Sequence, residues 1–541
     1  MNIQKVYIEN YKSFKEPFSL SFNDGINIIV GDNEAGKSTI LEAINLALTG
    51  ILHGKYLKNE LTQYLFNNES ITEYLNSLDK ASKLPPPKIT IEVYFAKCDL
   101  PLFEGNGNNE KTKHCGISFK IEFDDEYKDE YEELVKSDET ILTLPIEYYK
   151  ITLKSFARDT ISSRSIPIKS IIIDSSSNKY QNGSDVYIAR IIKNDLNDKE
   201  KIKLSQAYRK MKDGFINDKS MQDINKKINK KADISSKKLH VSADLSTQNS
   251  WETVLMTYLD QIPFHQIGKG EQCIIKTNLA LGHNKAKEAN LILLEEPENH
   301  LSHAKLNHLI KKINSNCEGK QVIITTHSSF VANKLGLENL ILLNDKKTIR
   351  LNKLNKNTYD FFKKLPGYQT LRLLLCKKAV LVEGDSDELV FQKLYMNTHK
   401  GSLPIENEID VISVKLTFKR FLEIAFHLNK PVAVITDNDS DFDKKITKKY
   451  SEYSDCENIK IFADDRNNLN TLEPQFVDAN RKKIKKLCSI LKINKEKYKT
   501  VDEISNYMEN NKTDWALHVF ESEEELNFPK YLHDAVEWCD E

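Results

Sequence analysis

The 541-residue chain lacks several patterns that define whole classes of proteins. Its eight cysteines are scattered without a C-x-x-C pair, so the sequence indicates neither a disulfide framework nor a zinc site of that type. No run of about eighteen apolar residues occurs, which argues against a membrane-spanning helix. The N-terminus, MNIQKVYIENYKSF, is charged and alternating, unlike a signal peptide. We therefore expect a reduced, cytoplasmic protein without membrane contact.

An excess of charge of one sign is also lacking. Lys and Arg total 78, Asp and Glu total 79, and the formal net charge is −1. A chain so nearly neutral has no overall attraction to nucleic acid or membrane, so any site for a polyanion must be a local patch. Hydrophobic residues make up 40% and aromatic residues 9%, which is enough for buried cores. At roughly 150 residues per domain, the length predicts about three or four domains.

A phosphate-binding loop is indicated near the N-terminus. The apolar run INIIV ends at Gly31, and GDNEAGKST leads into an amphipathic segment. This stretch fits the pattern G-x-x-x-x-G-K-[ST], in which main-chain N–H groups surround phosphate, the lysine reaches the β- and γ-phosphates and the hydroxyl binds Mg²⁺. The start of the following helix adds its dipole. The candidate nucleotide-binding residues of this loop are Gly31, Asn33, Gly36, Lys37, Ser38 and Thr39.

Alternating segments then predict an antiparallel β subdomain. KITIEVYFAK, GISFKIEF and EYYKITLKS each have the pattern of a strand, and KSIIIDSSS predicts a further buried strand. Residues 196–240 are rich in lysine and low in glycine, and we interpret them as a helical insertion. Two interpretations of the insertion stay open. It is either a solvated helical segment, or an arm that pairs two subunits or contacts a phosphate backbone.

Two apolar strands after residue 290 deliver polar groups suited to nucleotide hydrolysis. LILLEEPENHLS carries Glu295 and Glu296 at the end of its apolar run, and the run in QVIITTHSS leads to His327. We expect Glu295 to hold Mg²⁺ directly or through water, and Glu296 to polarise the attacking water. His327 is placed to contact the γ-phosphate. A lone histidine at a strand end is more often structural, but the phosphate loop upstream favours the functional interpretation.

The set GDNEAGKST, IGKGEQ, LLEEPENHL and TTHS resembles the ATPase heads of the ABC class, as in SMC-type DNA-repair proteins. The resemblance makes IGKGEQ the signature motif, with Gly268 and Gly270 as nucleotide contacts, and makes ENHL the D-loop. In that class the signature of one head completes the nucleotide site of another, which implies a homodimer or higher oligomer formed through the heads. This chain departs from the motif where Gly268 and Lys269 replace a serine and the first glycine, and no glutamine loop is assigned.

The second half of the chain contains the stretch AVLVEGDSDELVF. A buried strand that ends on Glu383, turns at Gly384 and starts a helix places acids at the carboxyl edge of a parallel sheet. That edge is where open α/β folds bind ligands. PVAVITDNDSD ends in the same way, with Asp437, Asp439 and Asp441. The alternation of strands and helices with acids at strand ends predicts a parallel sheet with a metal site.

The acidic residues of this half suit divalent metal ions. Carboxylate oxygens are the ligands that Mg²⁺ and Mn²⁺ prefer, and no His and Cys set with zinc spacing competes. Two such ions about 4 Å apart activate a water and stabilise the departing oxygen when a phosphodiester is cleaved. A nearby lysine stabilises the charge of the transition state. The expected cofactors of the chain are therefore ATP and Mg²⁺, with Mn²⁺ or Ca²⁺ as alternatives at this second site.

The pattern E-G-x-x-D-E followed by D-x-D resembles the Toprim domain of topoisomerases, primases and some nucleases. ABC-type ATPase followed by Toprim resembles the OLD (overcoming lysogenization defect) family of nucleases, which includes Gabija-type and retron-associated antiphage nucleases. The resemblance covers nearly the whole chain, apart from residues 50–85 and 180–245. It implies a catalytic role for Glu383, transition-state support from Lys512 and an additional ligand in Glu388. It assigns metal binding to Glu383, Asp387, Asp437, Asp439 and Glu473.

Together these features predict an α/β protein in three parts. Residues 1–360 form an ABC-type ATPase head, a mixed β-sheet with an antiparallel β subdomain and a helical, dimerising insertion at about 196–245. Residues 361–480 form a Toprim nuclease domain with a parallel sheet. Residues 481–541 form a helical part that completes the Toprim site.

The leading functional hypothesis is a metal-dependent endonuclease gated by an ATPase dimer and acting in antiphage defence. Its substrate is nucleic acid, with DNA favoured over RNA, and its partner in the defence system is a protein or a retron nucleic acid. Two alternatives stay open: an ATPase scaffold or sensor that holds or releases a partner effector, and a Toprim nuclease acting on tRNA. A topoisomerase or primase is disfavoured, because the sequence shows no room for a DNA-gate domain and no template-binding module.

Overall fold

The computed structural model describes most of the chain, in two compact units. The described residues are 1–53, 55–78, 80, 82–96, 99–136, 141–174, 180–181, 184–185, 196–231, 241–242, 257–282, 288–316, 319–344, 346–494, 498 and 500–541. The first unit comprises Met1–Ile29 and Gly36–Thr326, and the second comprises Val30–Ala35 and His327–Glu541. Over these residues, no helix has both the length and the apolar run that a membrane crossing requires.

The first unit is a mixed α/β assembly. Its strands are β1 (Ile3–Glu9), β2 (Phe18–Ser21), β3 (Ile26–Gly31, ending in the second unit), β4 (Ile51–Leu52), β5 (Lys55–Tyr56), β6 (Ile89–Phe95), β7 (Glu104–Gly105), β8 (His114–Phe123), β9 (Tyr149–Ser155), β10 (Ser170–Asp174), β11 (Tyr180–Gln181), β12 (Ser184–Asp185), β13 (Tyr258–Leu259), β14 (Ile262–Pro263), β15 (Leu291–Glu295) and β16 (Gln321–Thr325). Its helices are α1 (Lys37–Thr49), α2 (Asn68–Leu78), α3 (Lys128–Lys136), α4 (Asp198–Ile216), α5 (Lys219–Lys231), α6 (Lys269–Gly282) and α7 (His303–Asn316).

An antiparallel sheet forms one part of this unit. Its strand order is β2-β1-β6-β8-β7, with β9 also paired to β8. β6 is buried along its whole length, because it lies inside the sheet and carries β-branched and aromatic residues that suit a covered strand. The structure confirms the antiparallel β subdomain predicted from the alternating segments.

A parallel set of strands carries the nucleotide-site motifs. Its order within the unit is β10-β15-β16-β3. Each of these strands is a nearly continuous apolar run, as expected when both faces of a parallel sheet are covered. The register places Asp174 beside Glu295, and Glu295 beside Thr325. Polar groups that follow these strands therefore meet at the carboxyl edge, from which β3 also leads into α1.

The lysine-rich insertion is helical where the structure describes it. α4 begins with a capping box, in which Asn197 accepts from the N–H of Glu200 at 3.0 Å and the Glu200 side chain accepts from the N–H of Asn197 at 2.8 Å. α5 follows after a two-residue connection. The rest of the predicted insertion, at 232–240 and 243–245, lies outside the described residues.

The second unit contains six strands and ten α-helices among its described residues, with a π-helix at Asp443–Lys448. The strands are β17 (Leu340–Asn344), β18 (Lys347–Arg350), β19 (Lys378–Val382), β20 (Ile409–Ser413), β21 (Val432–Ile435) and β22 (Ile459–Phe462). The helices are α8 (Ser329–Leu335), α9 (Lys356–Lys364), α10 (Thr370–Leu375), α11 (Asp385–Thr398), α12 (Phe418–Leu428), α13 (Leu472–Ala479), α14 (Ile484–Ile490), α15 (Val501–Asn510), α16 (Asp514–Glu521) and α17 (Lys530–Asp540).

A parallel four-stranded sheet organises the second unit. The strand order is β20-β19-β21-β22, and all three pairings are parallel. β19 and β21 are the inner strands and are apolar, which is why they are covered on both faces. Each is followed by a candidate ligand, Glu383 directly after β19 and Asp437 two residues after the end of β21. The predicted parallel sheet is confirmed.

The C-terminal helices belong to the same core as this sheet. Trp515 of α16 is 1% exposed and lies 5.4 Å, centroid to centroid, from Phe476 of α13. Residues of α11, α13, α15, α16 and α17 join one buried apolar cluster with β19, β20 and β21. Burial of this cluster stabilises the packing of α16 on α11 and α13. The turn before α16, where Lys512 lies, is thereby held near the helices that carry Asp387 and Glu473.

Candidate active sites

The phosphate loop is shaped by Gly36. This residue has φ +104° and precedes α1, a left-handed conformation that favours glycine. A Cβ added there would lie 2.7 Å from Cζ of Phe14, so a side chain is excluded sterically as well. Lys37 is buried, with 5% exposure, and Ser38 and Thr39 follow it in the first turn of α1. Gly31 and Asn33 precede them, and a Cβ at Gly31 would lie 2.4 Å from the carbonyl oxygen of Leu343.

Glu295 and Ser38 meet beside this loop. The Ser38 side chain hydrogen-bonds to the Glu295 carboxylate at the end of β15. Burial raises the pKa of Glu295, the Ser38 hydrogen bond lowers it, and the charges of Asp174 and Glu296 raise it further. A hydroxyl and a carboxylate are the protein groups that hold Mg²⁺ in phosphate-loop enzymes. The two residues that the sequence predicted as Mg²⁺ ligands of the nucleotide site therefore lie in contact with each other.

Glu296 has a backbone conformation that is rare for its residue type. Its φ is +39°, its N–H donates to the carbonyl of Thr325 at 3.0 Å, and its carboxylate accepts from Nδ2 of Asn299 at 2.8 Å. Non-glycine residues at positive φ are uncommon and cluster at functional sites. His327 follows β16 after Thr326 and directly precedes Ser328, the residue that caps α8.

The IGKGEQ motif begins a helix and touches the ENHL turn. α6 starts at Lys269, inside the motif. A Cβ on Gly270 would lie 2.3 Å from the carbonyl oxygen of His300, whereas a Cβ on Gly268 would meet nothing within 4 Å. Gly270 is therefore required for close packing of the two motifs, and Gly268 is not constrained in this way.

The second unit contains a cavity of about 280 Å³ lined with acids, which we call the acid cavity. It is formed by the ends of β19, β20 and β21, the first turns of α11 and α13, and the turn before α16. The structure thus brings together five of the predicted residues from four separate stretches of the chain. The lining residues are Glu383, Gly384, Asp385, Ser386, Asp387, Lys415, Leu416, Asp437, Leu472, Glu473, Lys512 and Thr513.

Burial and mutual repulsion act on the carboxylates of the acid cavity. Burial raises the pKa of Asp387 to about 7, although the N–H of Gly384 opposes this by donating to the carboxylate. Burial also raises the pKa of Asp437 well above its usual value, with further increases from the charges of Asp387 and Glu383. The pKa of Glu383 is raised first by burial and next by Asp439, while Lys512 is among the cations that lower it. A bound cation would relieve this repulsion.

Two predicted ligands do not line the acid cavity. Asp439 has φ +48°, and its carboxylate pairs with Nζ of Lys445 at 2.8 Å. Glu388 accepts from Nε2 of Gln392 at 3.2 Å, and Arg372 is the cation that acts on its carboxylate. One residue along a helix rotates a side chain by about 100°, so Glu388 cannot face the same way as Asp387.

The donor set of the acid cavity fits a hard divalent cation. Carboxylate oxygens are the ligands that Mg²⁺, Mn²⁺ and Ca²⁺ prefer, and they are here partly or fully buried and mutually repulsive. Within the described residues, no three Asp, Glu, His or Cys side chains stand close enough to hold one ion as positioned. Ligation would therefore require these carboxylates to draw closer together.

Sequence reasoning missed several residues of this site. The Nδ2 of Asn438 donates to the carbonyls of Asp464, Arg466 and Leu469 at 2.8, 3.0 and 3.1 Å, which joins the turn between Asp437 and Asp439 to a distant loop. The only feature of the sequence that indicates a role for Asn438 is its position between Asp437 and Asp439.

Two further neighbours of the acid cavity came from segments that carried no motif. Lys449 has its pKa lowered by burial and raised by the charges of Asp439 and Glu383. The Tyr531 hydroxyl donates to Oε1 of Gln475 at 2.8 Å, and the pKa of Tyr531 is raised by burial and then by Asp437. Lys449 lies in a stretch for which the sequence indicated no motif, and Tyr531 lies in the predicted C-terminal helix.

Two protein-family models match parts of the chain. A family model described as AAA ATPase domain matches residues 1–332, more than half of the chain. The chain belongs to this AAA ATPase family. A second model, described as overcoming lysogenization defect protein-like, TOPRIM domain, matches residues 374–439. The chain thus has the architecture of an OLD-family ATPase–Toprim nuclease, as predicted, and this architecture implies use of a nucleotide and a divalent metal.

Individual relatives of this ATPase–Toprim protein match over short stretches. It is 52% identical over 46 residues to a DNA double-strand break repair Rad50 ATPase of Methanopyrus kandleri, covering 8% of this chain and 5% of the relative. It is 32% identical over 103 residues to a chromosome partition protein Smc of Halothermothrix orenii, covering 17% and 8%. An SMC head domain from Thermotoga maritima aligns with a TM-score of 0.28 and 13% identity, covering 63% of this chain and 94% of that one. The chain spans less than a tenth of these two curated relatives.

Proposed function

We propose that this protein is an ATP-hydrolysing, divalent-metal-dependent endonuclease that cleaves nucleic-acid phosphodiesters, with DNA favoured over RNA. The supporting observation is the acid cavity, where Glu383, Asp387, Asp437 and Glu473 converge with Lys512. A structural cluster of buried acids without a cation would only cost stability. The convergence of acids and one lysine at the carboxyl edge of a parallel sheet suits phosphoryl chemistry.

The ATPase part of the proposal assigns one role to each group. Lys37 contacts the β- and γ-phosphates, and Ser38 and Glu295 hold the nucleotide-bound Mg²⁺, supported by their mutual hydrogen bond. Glu296 orients the attacking water and His327 contacts the γ-phosphate. The remaining nucleotide contacts come from the loop residues Gly31, Asn33, Gly36 and Thr39, and from Gly268 and Gly270 of a second subunit.

The nuclease part assigns metal binding to Glu383, Asp387, Asp437 and Glu473, with Asp439 joining after it leaves Lys445. When bound, two ions supply an activated water and stabilise the departing oxygen. Glu383 has the catalytic role in this set because both acids, Asp439 and Glu473, and cations, Lys449 and Lys512, act on its carboxyl group. Lys512 stabilises the negative charge that develops on the phosphate. The Gly384 N–H keeps the Asp387 carboxylate at its place in the cavity.

Assembly and biological role complete the proposal. The ATPase heads form a homodimer or higher oligomer that gates the nuclease, in the cytoplasm and as part of antiphage defence with a protein or nucleic-acid partner. The domain boundaries are 1–360 for the ATPase with its insertion, 361–480 for Toprim and 481–541 for the helical part. Packing of Trp515 against Phe476 supports the assignment of the last segment to the Toprim site.

A substrate panel tests this function. Purified protein is incubated with plasmid, single-stranded DNA and tRNA, with Mg²⁺ or Mn²⁺, with and without ATP. We expect metal-dependent cleavage of at least one DNA substrate and a change in its rate when ATP is added. ATP hydrolysis without cleavage of any substrate would instead favour the scaffold or sensor, and cleavage confined to tRNA would favour the RNA-directed alternative.

A further inference from the structure

A second and larger cavity, of about 570 Å³, lies in the same unit as the acid cavity. We call it the ring cavity, because the aromatic side chains of Phe426, His427 and Tyr453 line it. Phe426 is 51% exposed, and its ring centroid lies 5.6 Å from that of His427 and 6.4 Å from that of Tyr453. The volume falls in the range of roughly 300–1,000 Å³ typical of small-ligand sites.

The ring cavity is electrically balanced. Lys419 and Arg420 contribute two positive charges to its lining, and Glu423 and Glu452 contribute two negative charges. Both carboxylates already have partners in the protein. Glu452 pairs with Nζ of Lys419 at 3.1 Å, and Glu423 accepts from the Thr358 hydroxyl at 2.6 Å. A neutral, aromatic and hydrogen-bonding lining suits an uncharged heterocycle better than a phosphate or an acidic peptide.

Two segments of the chain connect the ring cavity to the acid cavity. In the first segment, Lys415 and Leu416 line the acid cavity. Lys419 and Arg420, which follow Leu416 by three and four residues, line the ring cavity. The ring cavity thus extends along α12, from Lys419 in the first turn to Phe426 and His427 in the last, and the start of α12 is the end that follows the acid-cavity residues.

The second segment runs through 443–453. Lys445 pairs with Asp439 at the acid end, and Tyr453 lines the ring cavity at the other end. Between them, Nζ of Lys449 lies 6.0 Å from the ring centroid of Phe418, the first residue of α12. Lysines thus lie along the two segments that link the linings of the cavities, and the rings lie at the ring-cavity end of these segments. Nucleic acid presents the same order of features, a charged backbone with uncharged bases beside it.

We propose that the ring cavity binds the base of an unpaired nucleotide in the strand whose phosphodiester lies at the acid cavity. The substrate class is then a strand that is single-stranded at the cleavage point, or a duplex from which one nucleotide is turned out. The Phe426 ring stacks on the base, and the lysines of these two segments contact the intervening phosphates. This inference rests on the proposed nuclease function and names the form of its substrate.

Binding measured without cleavage tests the inference separately from the nuclease function. Fluorescence anisotropy is recorded in EDTA with fluorescein-labelled probes of about 12 nucleotides. The probes are oligothymidylate, oligouridylate, a duplex, and an abasic strand with the same number of phosphates. We compare wild type with Phe426→Ala, Phe426→Leu, which keeps apolar bulk without a ring, and Ile405→Ala. Ile405 is a matched control, since it is 58% exposed and lies outside the cavity.

We expect wild type to bind at least one base-containing single strand more tightly than the abasic strand. Both Phe426 variants should weaken that binding at least about fivefold while Ile405→Ala does not, since stacking contributes roughly 1–3 kcal/mol per base. The thymidylate and uridylate probes then distinguish DNA from RNA. The inference is overturned if the Phe426 variants bind the single strands as tightly as wild type does, or if no probe binds. It is also overturned if the Phe426 substitutions weaken binding of the duplex and the abasic strand as much as binding of the base-containing single strand. If wild type binds in a base-dependent manner but cleaves no substrate in the panel described above, only the nuclease proposal is contradicted.

Discussion

The main-chain N–H of Gly384 donates to Oδ2 of Asp387 at 3.0 Å. This hydrogen bond holds a buried carboxylate at the first turn of α11, where Asp387 lines the acid cavity. Gly384 itself is extended, with φ −145° and ψ −176°, a conformation that any residue adopts. The chain bends at Gly384 between β19 and α11, as predicted, but the backbone conformation there does not require glycine. The backbone N–H, and not the absence of a side chain, is what this position contributes.

Gly384→Ala should accordingly be tolerated. An added Cβ would lie 3.6 Å from Oδ2 of Asp387, which is ordinary van der Waals contact, and the N–H is retained. We expect a change in melting temperature of no more than about 2–4 °C, equivalent to about 1 kcal/mol, and metal-dependent cleavage close to wild type. Asp387→Ala serves as the contrasting variant and should abolish cleavage. Equal loss in both variants would show that the hydrogen-bond account of Gly384 is wrong.

The two glycines of IGKGEQ should differ in their response to alanine. Gly270→Ala places a Cβ 2.3 Å from the His300 carbonyl and forces the two motifs apart, whereas Gly268→Ala meets nothing within 4 Å. We expect Gly270→Ala to lower the melting temperature and the rate of ATP hydrolysis, because packing strain of this kind costs about 1–3 kcal/mol. Gly268→Ala should leave the melting temperature unchanged. Identical melting curves for the two variants would contradict the packing role of Gly270.

Asn438 should act as a positioning residue for the aspartates on either side of it. Its amide is fully buried and bonded to three carbonyls, so Asn438→Ala leaves buried acceptors without that donor, at a cost of about 1–3 kcal/mol. We expect weaker metal binding, measured as a higher Mn²⁺ concentration for half-maximal cleavage, and a lower melting temperature. Asn458→Ala is the matched control, since Asn458 donates to the Lys430 carbonyl alone. An unchanged Mn²⁺ concentration for half-maximal cleavage in Asn438→Ala would contradict the positioning role of Asn438.

Asp437 and Asp439 should contribute unequally to cleavage. Asp437 is buried in the acid cavity, whereas the Asp439 side chain is 54% exposed and paired with Lys445. Asp437→Asn should lower the cleavage rate by at least about a hundredfold, and Asp439→Asn by about tenfold or less. Initial rates at saturating Mn²⁺ measure both. A larger loss for Asp439→Asn would mean that the ion pair with Lys445 opens and that Asp439 is a principal ligand.

The overall organisation could be predicted from the sequence because local patterns determine it. Apolar runs that end on acids, such as the one before Glu383, identify strands, and parallel strands bring their ends to one edge whatever lies between them in sequence. For the same reason Glu295 and Ser38 could both be predicted as Mg²⁺ ligands of one site, and a hydrogen bond joins them in the structure. The helical insertion followed from composition alone.

Other features depend on tertiary packing and could not be predicted. The positive φ of Asp439 and its ion pair arise from the turn after β21, and no periodic signal records them. Glu388 was grouped with Asp387 by adjacency, but helix geometry separates them. Lys449 and Tyr531 interact electrostatically with carboxylates of the acid cavity from segments with no motif. The ring cavity combines Asn355 with side chains from α12 and the 443–453 segment.

The central claim is that ATP hydrolysis and phosphodiester cleavage occur at two separate sets of residues. Parallel assays of ATP turnover and of Mn²⁺-dependent cleavage of DNA, on wild type, Glu383→Gln and Glu296→Gln, test it most directly. The account predicts that Glu383→Gln loses cleavage and keeps ATP turnover within about twofold, while Glu296→Gln loses ATP turnover. Cleavage that persists at the wild-type rate in Glu383→Gln would contradict it.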